Sequence, residues 1–225
     1  YQTSTIERNI GRLKFFFNRA IELNMEVTQA FKERIYFSPE NDIEGVYLNE
    51  TEIQKIIDKD FSYDYELNLA KQNFLIGLHT GLRISDFLKL DTNNISDGNF
   101  TIKTKKTKTK VVIPIHPIVE QILNDNFGCL PQKISSSDFN KQIKIICQLC
   151  NIDNLVYGKL FDKDLKRKKI DYYKKYLLIS SHVCRRSFAT NFSGTEKEVL
   201  NSVMGWSKES KMHSHYNKKS GDDYA

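Results

Sequence analysis

Between residues 99 and 115 the hydrophobic period of the chain changes, and that change constrains the fold more than any other feature. Asn99-Phe100-Thr101-Ile102-Lys103 and Val111-Val112-Ile113-Pro114-Ile115 alternate or run as β-rich segments, and Asp97-Gly98 supplies a turn before the first. Between them Lys103, Lys105, Lys106, Lys108 and Lys110 fall within eight residues that contain no acid. The spacing predicts two antiparallel strands joined by a strongly basic tip. A lysine run of this kind is commonly a solvated face, so the hairpin alone names no partner.

Both flanks read as helices. Ile6, Ile10, Leu13, Phe17 and Ala20 recur near the 3.6-residue period, predicting a helix over residues 4 to about 24, with Ser4 and Glu7 as a capping box. The stretch through Phe37-Ser38-Pro39-Glu40-Asn41-Asp42 has turn composition and reads as a linker. Asn49 with Glu52 predicts a capped short helix. Residues 63–79 predict a longer one that ends at a Gly81 cap, and residues 84–90 a further short one. After Pro117 the whole remainder reads as helical, over 118–125, 136–150, 183–192, 196–204 and 208–216. The expected fold is therefore mainly α with one small antiparallel β-sheet (α+β). Residues 1–40 are expected to be the end of a preceding helical domain, and residues 41–225 the main domain. The first residues, Tyr1-Gln2-Thr3-Ser4-Thr5, hold no Met and no signal-peptide pattern. They read as a cut within a longer chain.

Composition narrows the class. Hydrophobic residues make up 40% and charged residues 28% of the 225, which suits a packed globular domain. No apolar run approaches the roughly 18 to 20 residues that cross a bilayer. The formal charge of +6 is compatible with a polyanionic partner, and Lys163 to Lys175 form a second basic stretch. Cys147 and Cys150 form a C-x-x-C, but no second pair lies nearby to complete a zinc shell. They fall in a helical apolar pattern with Ile143 and Ile146, and read as buried, reduced thiols.

Four places carry unusual polar residues. In Thr80-Gly81-Leu82-Arg83-Ile84-Ser85-Asp86, Arg83 follows a glycine turn and opens a short helix, where an anion is favoured and an arginine can add a bidentate grip. The plain alternative is a surface arginine paired with Asp86 at i+3. The lysine hairpin could enter a groove of DNA and bring an ammonium to a leaving oxygen. His182 and Arg185 lie three apart in Ser181-His182-Val183-Cys184-Arg185-Arg186-Ser187-Phe188-Ala189-Thr190, so they share a helix face. A lone histidine is more often a satisfied core residue than a reactive one. Tyr216 lies ten residues beyond Gly205-Trp206 and just before a polar, basic tail, but it is one of eleven tyrosines.

Taken in order, Gly-Leu-Arg-x-x-Asp, a hairpin lysine, His-x-x-Arg, and Gly-Trp followed by a tyrosine resemble the tyrosine recombinase (integrase) family over roughly residues 45–219. His182 to Thr190 resembles the versions in bacterial mobile-element integrases. The resemblance implies that Arg83 and Arg185 hold a scissile phosphate and that Asp86 supports the first of them. It implies that Lys106 is the hairpin acid, with Lys108 as the alternative because Lys108 stands where glycine is usual. His182 matches the conserved histidine, Trp206 the position that is most often His, and Tyr216 the nucleophile. Lys103, Lys105, Lys108, Lys110 and Arg186 are the expected further DNA contacts. Trp206 cannot titrate and can only pack or donate its indole N–H, and Arg186 stands where His is commonest.

Two arginines placed for the charge that builds on the nonbridging oxygens would stabilise the transition state preferentially. A tyrosine of pKa near 10 needs a base or a strongly positive site to attack. The implied product is a 3′-phosphotyrosyl DNA with a free 5′ hydroxyl, formed without metal or other cofactor. The implied partners are double-stranded DNA, a homotetramer on two DNA sites and accessory DNA-bending proteins, with no membrane role. The implied setting is the bacterial cytoplasm. Three other readings remain open here: a type IB topoisomerase-like enzyme, a DNA-binding protein that has lost cleavage, and a basic helical protein unrelated to DNA.

Overall fold

The computed structural model describes residues 3–36, 45–207, 209–210 and 212, apart from the side chain of Ser4. Contacts divide the chain into two units, residues 1–43 with 161–169, and residues 44–160 with 170–225.

In the first unit, α1 (Thr3–Glu22) is one residue longer at its start than the periodicity suggests, and a 3-10 turn follows at Gln29–Lys32. Phe17 stacks on Phe31 at 5.0 Å, and Lys14 Nζ donates to Glu33 O. Leu13, Phe15 and Phe16 are exposed, and no described residue from 3 to 36 is buried. The expected Ser4 cap and the 37–42 linker lie outside the described residues.

The second unit is built around α3 (Tyr65–Thr80), whose C-terminal half is buried on nearly every side: of residues 73–80 His79 alone is not buried. It packs against α4 (Ile84–Phe87), α5 (Pro117–Asp125), α6 (Ser136–Leu149) and α8 (His182–Asn191). Phe74, Ile76, Phe139, Ile143 and Ile146 form the centre of that core. Cys147, Cys150 and Cys184 are buried within it, as the helical pattern predicted for the first two. Gly77 lets α8 approach closely, since a Cβ there would meet Cys184 Sγ at 2.9 Å. The predicted Asn49–Glu52 capping box opens α2 (Glu50–Asp58). Glu52 also holds Lys175 in a buried ion pair, with Nζ 2.6 and 2.7 Å from its two oxygens.

The predicted strands form as β2 (Asn99–Lys103) and β3 (Lys110–Pro114), with a short β1 (Ile95–Ser96) beside them. Pairing is antiparallel in the order β1-β2-β3, with Phe100 opposite Ile113 and Ile102 opposite Val111. Those four residues are buried, and Thr101 and Val112 on the other face are not. The period of two read from the sequence is therefore the burial pattern.

The all-helical reading after Pro117 needs one correction. β4 (Leu155–Asp162) and β5 (Arg167–Lys174) form a second, two-stranded sheet. Leu155 and Tyr157 on one strand, and Ile170 and Tyr172 on the other, alternate with half-buried or small residues. The dense charge of Lys163 to Lys169 hides that alternation in the sequence. α7 (Lys175–Leu178) leads into α8, and α9 (Lys197–Val203) follows. The expected helix at 208–216 falls mostly outside the described residues. Among the described residues no helix is long and apolar enough to cross a membrane.

Candidate active site

Arg83 is the N-cap of α4, two residues after the glycine that ends α3. Gly81 has φ +62°, and a Cβ there would come within 2.7 Å of Phe188 Cδ1. Both facts require glycine at this turn. Arg83 is half-buried, and its Nη1 is buried without a hydrogen-bond partner. The i+3 pairing with Asp86, the plain alternative for this arginine, does not satisfy that atom. Asp86 Oδ1 instead accepts from the Lys105 backbone N–H at 2.9 Å, while its Oδ2 is buried and unpartnered. Asp86 therefore ties the turn that carries Arg83 to the lysine hairpin.

The hairpin tip is closed by local bonds. Thr104 N donates to Thr109 O at 2.9 Å, Lys108 N donates to Thr104 O at 3.0 Å, and the Thr104 and Thr107 hydroxyls lie 2.7 Å apart. Lys106 is exposed within that turn. Lys108 has φ +58°, the left-handed region that favours glycine. Lys103, Lys105, Lys108 and Lys110 are likewise exposed. A polar cleft of about 260 Å³, lined by Ser85, Asp86, Lys89, Lys103 and Lys105, separates α4 from the hairpin.

His182 and Arg185 both lie in the first turn and a half of α8, but in different surroundings. His182 is exposed, whereas Arg185 is 3% exposed. Arg185 Nη1 donates to Gly81 O at 2.9 Å, Nη2 donates to Met204 O, and the guanidinium lies 5.2 Å from the Trp206 ring. One side chain thus joins the end of α3, the end of α9 and Trp206. A guanidinium has five N–H donors, so holding two carbonyls does not exhaust it. The entry to α8 is held by Ser181 N, which donates to Asn140 Oδ1 at 2.7 Å. Arg186 is half-buried and donates to Val46 O at 3.1 Å. It is more firmly tied than an arginine reserved for a ligand.

Desolvation is the first cause that holds the His182 imidazole below its usual pKa. The positive charges of Arg186, Arg185, Arg83 and Lys106 add to it, in that order. Four cations from α4, the hairpin and α8 therefore act on one ring, and the bond from Arg185 to Gly81 O brings α8 to the turn that leads into Arg83. At neutral pH the ring is unprotonated and able to accept a proton. Such a cluster attracts an anion, stabilises charge that develops on it, and offers a neutral base beside an ammonium acid. Tyr216 lies outside the described residues.

Asn140 and the Gly81 and Met204 carbonyls were missed in the sequence. An asparagine within a helix gives no signal of its own, and a backbone acceptor gives none at all.

Residues 46–222 match the phage integrase family. No curated protein matches the chain by sequence. Among solved structures, a lambda integrase dimer bound to a COC′ core site is 17% identical with a TM-score of 0.62, over 94% of this chain and 72% of that one. A Tn1549 transposon integrase in complex with transposon right end DNA is 15% identical with a TM-score of 0.64, over 100% of this chain and 78% of that one. A lambda integrase tetramer bound to a Holliday junction gives 16% and 0.62, and this chain spans 58% of its length. At these identities the likeness is one of fold.

Proposed function

The chain belongs to the phage integrase family, the site-specific tyrosine recombinases, and we propose that it cuts and rejoins DNA through a covalent link to Tyr216. The observation that carries this is that Arg185 is bonded to the carbonyl of Gly81, at the turn that leads into Arg83, while Asp86 ties the same turn to the lysine hairpin.

In the proposed reaction the Tyr216 oxygen attacks the scissile phosphorus. His182 accepts the phenolic proton, Arg83 and Arg185 hold the nonbridging oxygens, and Lys106 gives a proton to the departing 5′ oxygen. One P–O bond forms as another breaks, so the phosphodiester energy stays in a 3′-phosphotyrosyl link. A 5′ hydroxyl from another strand reverses the step and completes exchange. Trp206 orients Arg185 by packing on it, and Asp86 keeps the hairpin in reach through Lys105. Lys106 is favoured over Lys108 as the acid because Lys108 takes the left-handed backbone conformation that suits the glycine usual at this position in the family. Lys103, Lys105, Lys110 and Arg186 add positive potential for the DNA backbone. The working assembly is a homotetramer on two DNA sites, as in the lambda integrase tetramer bound to a Holliday junction. Its task is the integration or excision of a mobile element, with accessory DNA-bending proteins as further partners. Residues 1–40 are the end of a helical DNA-clamping domain.

A nicked duplex carrying the element's end sequence, incubated with the protein in EDTA, tests the reading. A protease-sensitive protein–DNA band on a denaturing gel is expected, and Tyr216→Phe should abolish it while retaining binding. Cleavage by Tyr216→Phe would assign the nucleophile to another tyrosine.

A further inference from the structure

α8 carries His182 and Arg185, but three of its other side chains are bonded to a strap of backbone. Residues 45–49 are neither helix nor strand, and they lead into α2. Buried backbone groups in such a segment need partners from elsewhere. Leu48 is fully buried, and its N–H donates to Ser187 Oγ at 2.8 Å. Its carbonyl accepts from Asn191 Nδ2 at 3.1 Å. Arg186 Nη1 donates to Val46 O at 3.1 Å, and Gly45 approaches the same guanidinium so closely that a Cβ there would overlap it.

Ser187 and Asn191 lie four apart in α8 and share a face. At roughly 100° per residue, that face points about 170° away from the one that carries His182 and Arg185. On the site side, Arg185 holds α8 to Gly81 O and Met204 O. On the back, the strap holds it. A helix bonded on one side alone can still roll about its axis, whereas bonds on opposite faces remove that freedom. The freedom matters because a misplacement of about 1 Å at a reacting group loses on the order of 100-fold in rate. Ser187 is fully buried, and no step of the phosphate chemistry uses it.

We propose that Ser187 and Asn191 are positioning residues for the recombinase reaction: by seating the Leu48 backbone on the back of α8, they fix the rotation of the helix that presents His182 and Arg185. The proposal rests on the reading above for the chemistry that this presentation serves, and both residues act only through α8.

The test uses the full chain and the nicked duplex. Adduct formation is followed in a single turnover at saturating protein across pH, and DNA affinity is measured separately. The His182 ring is titrated by NMR without DNA, its resonances assigned through His182→Gln. Ser187→Ala should slow adduct formation by about 10- to 100-fold and leave the Kd within about twofold of the parent. The acid limb of its rate profile and its His182 titration should both move up toward the usual histidine range, because the ring leaves the partly desolvated, cation-rich surroundings that hold it low. Ile122→Val trims the buried face of α5 and should change neither. Asn191 is half-buried, so Asn191→Ala keeps the test open if Ser187→Ala does not fold. It should slow the reaction by about 3- to 10-fold, with the same movement of His182. A rate within about twofold of the parent in the folded variants, an equal loss in Ile122→Val, or a slow variant whose His182 titrates as in the parent overturns the proposal. If the parent forms no adduct, the recombinase reading fails. A His182 titration that still moves in Ser187→Ala and not in Ile122→Val then keeps the placement of α8 by the strap, and an unmoved one overturns it as well.

Discussion

Arg83 and Arg185 have the same proposed role, yet their removal should affect the fold very unequally. Arg185 is buried and gives charge-assisted bonds to Gly81 O and Met204 O, with Trp206 packed on the guanidinium. Each bond from a charged donor contributes about 1.5 to 3 kcal/mol, and the ring contact adds about 0.5 to 2 kcal/mol. Water entering the vacated space would recover part of this, so Arg185→Ala should cost about 3 to 6 kcal/mol. That is a large share of the roughly 5 to 15 kcal/mol that holds a domain together. Arg185→Lys can satisfy one carbonyl and should recover about half. Arg83 differs because its Nη1 is buried without a partner. Arg83→Ala removes a poorly satisfied charge and should stay within about 1 kcal/mol of the parent. Urea unfolding at neutral pH reads both, at about 2 kcal/mol per M for a domain of this size. The expected midpoint falls by about 1.5 to 3 M for Arg185→Ala and by less than about 0.5 M for Arg83→Ala, with adduct formation lost in both. If Arg185→Ala unfolds at the parent midpoint, the two-carbonyl clamp is not holding α8 to α3 and α9. If Arg83→Ala falls as far as Arg185→Ala, the contrast drawn from their partners is wrong.

Three further outcomes can be measured on the same protein. Lys108→Gly should stabilise the hairpin by about 0.5 to 1 kcal/mol, since a non-glycine residue at positive φ costs about 1 to 2 kcal/mol and glycine's entropy returns part of it. It should keep adduct formation while Lys106→Ala loses it, and the reverse would make Lys108 the acid. His79 is held at about 4, first by desolvation and then by the charge of His116, against a raising bond to Leu75 O. Because the unfolded chain binds that proton near pH 6.5, the stability from a neutral His79 is complete above 6.5 and is lost as pH falls toward 4. The total is on the order of 3 kcal/mol. His79→Gln should flatten that limb of a stability–pH curve, and an unchanged limb would assign it to other groups. Glu52→Ala should cost about 3 to 5 kcal/mol in urea unfolding by stranding Lys175, and Glu52→Leu with Lys175→Met should recover most of it. A double variant no better than the single one would mean that the pair is not what holds α7 to α2.

What could be read in advance followed from local rules. The Asn49–Glu52 box, the Gly81 cap and the register of β2 on β3 depend on residues a few positions apart, so composition and period reveal them. Arg83, His182 and Arg185 stood out because charge beside glycine turns or apolar neighbours is uncommon. The β4–β5 hairpin was missed because cations dominate residues 163–169 and dilute a period of two that needs only four apolar residues. The different states of His182 and Arg185 were also unreadable. A shared helix face predicts proximity, but exposure depends on what the opposing α3 and α9 ends bring. The same holds for Asp86, whose bond to Lys105 spans 19 residues and two elements.

Gathering four cations around one imidazole is unfavourable in itself, since like charges repel and each loses water. Among the bonds that offset that cost are several to dipoles. Arg185 is held by two carbonyls, Arg186 by the Val46 carbonyl, and the Lys106 turn by threonine bonds and the Asp86 link. Carboxylate pairing would hold the same groups more firmly, but it would fill the site with negative charge and weaken its pull on a phosphate. Asp86, three residues after Arg83, accepts from a backbone N–H. Anchoring by dipoles orders a cationic group without cancelling its charge, and a preorganised site of this kind gives its stabilisation to an incoming anion and not to its own resting state.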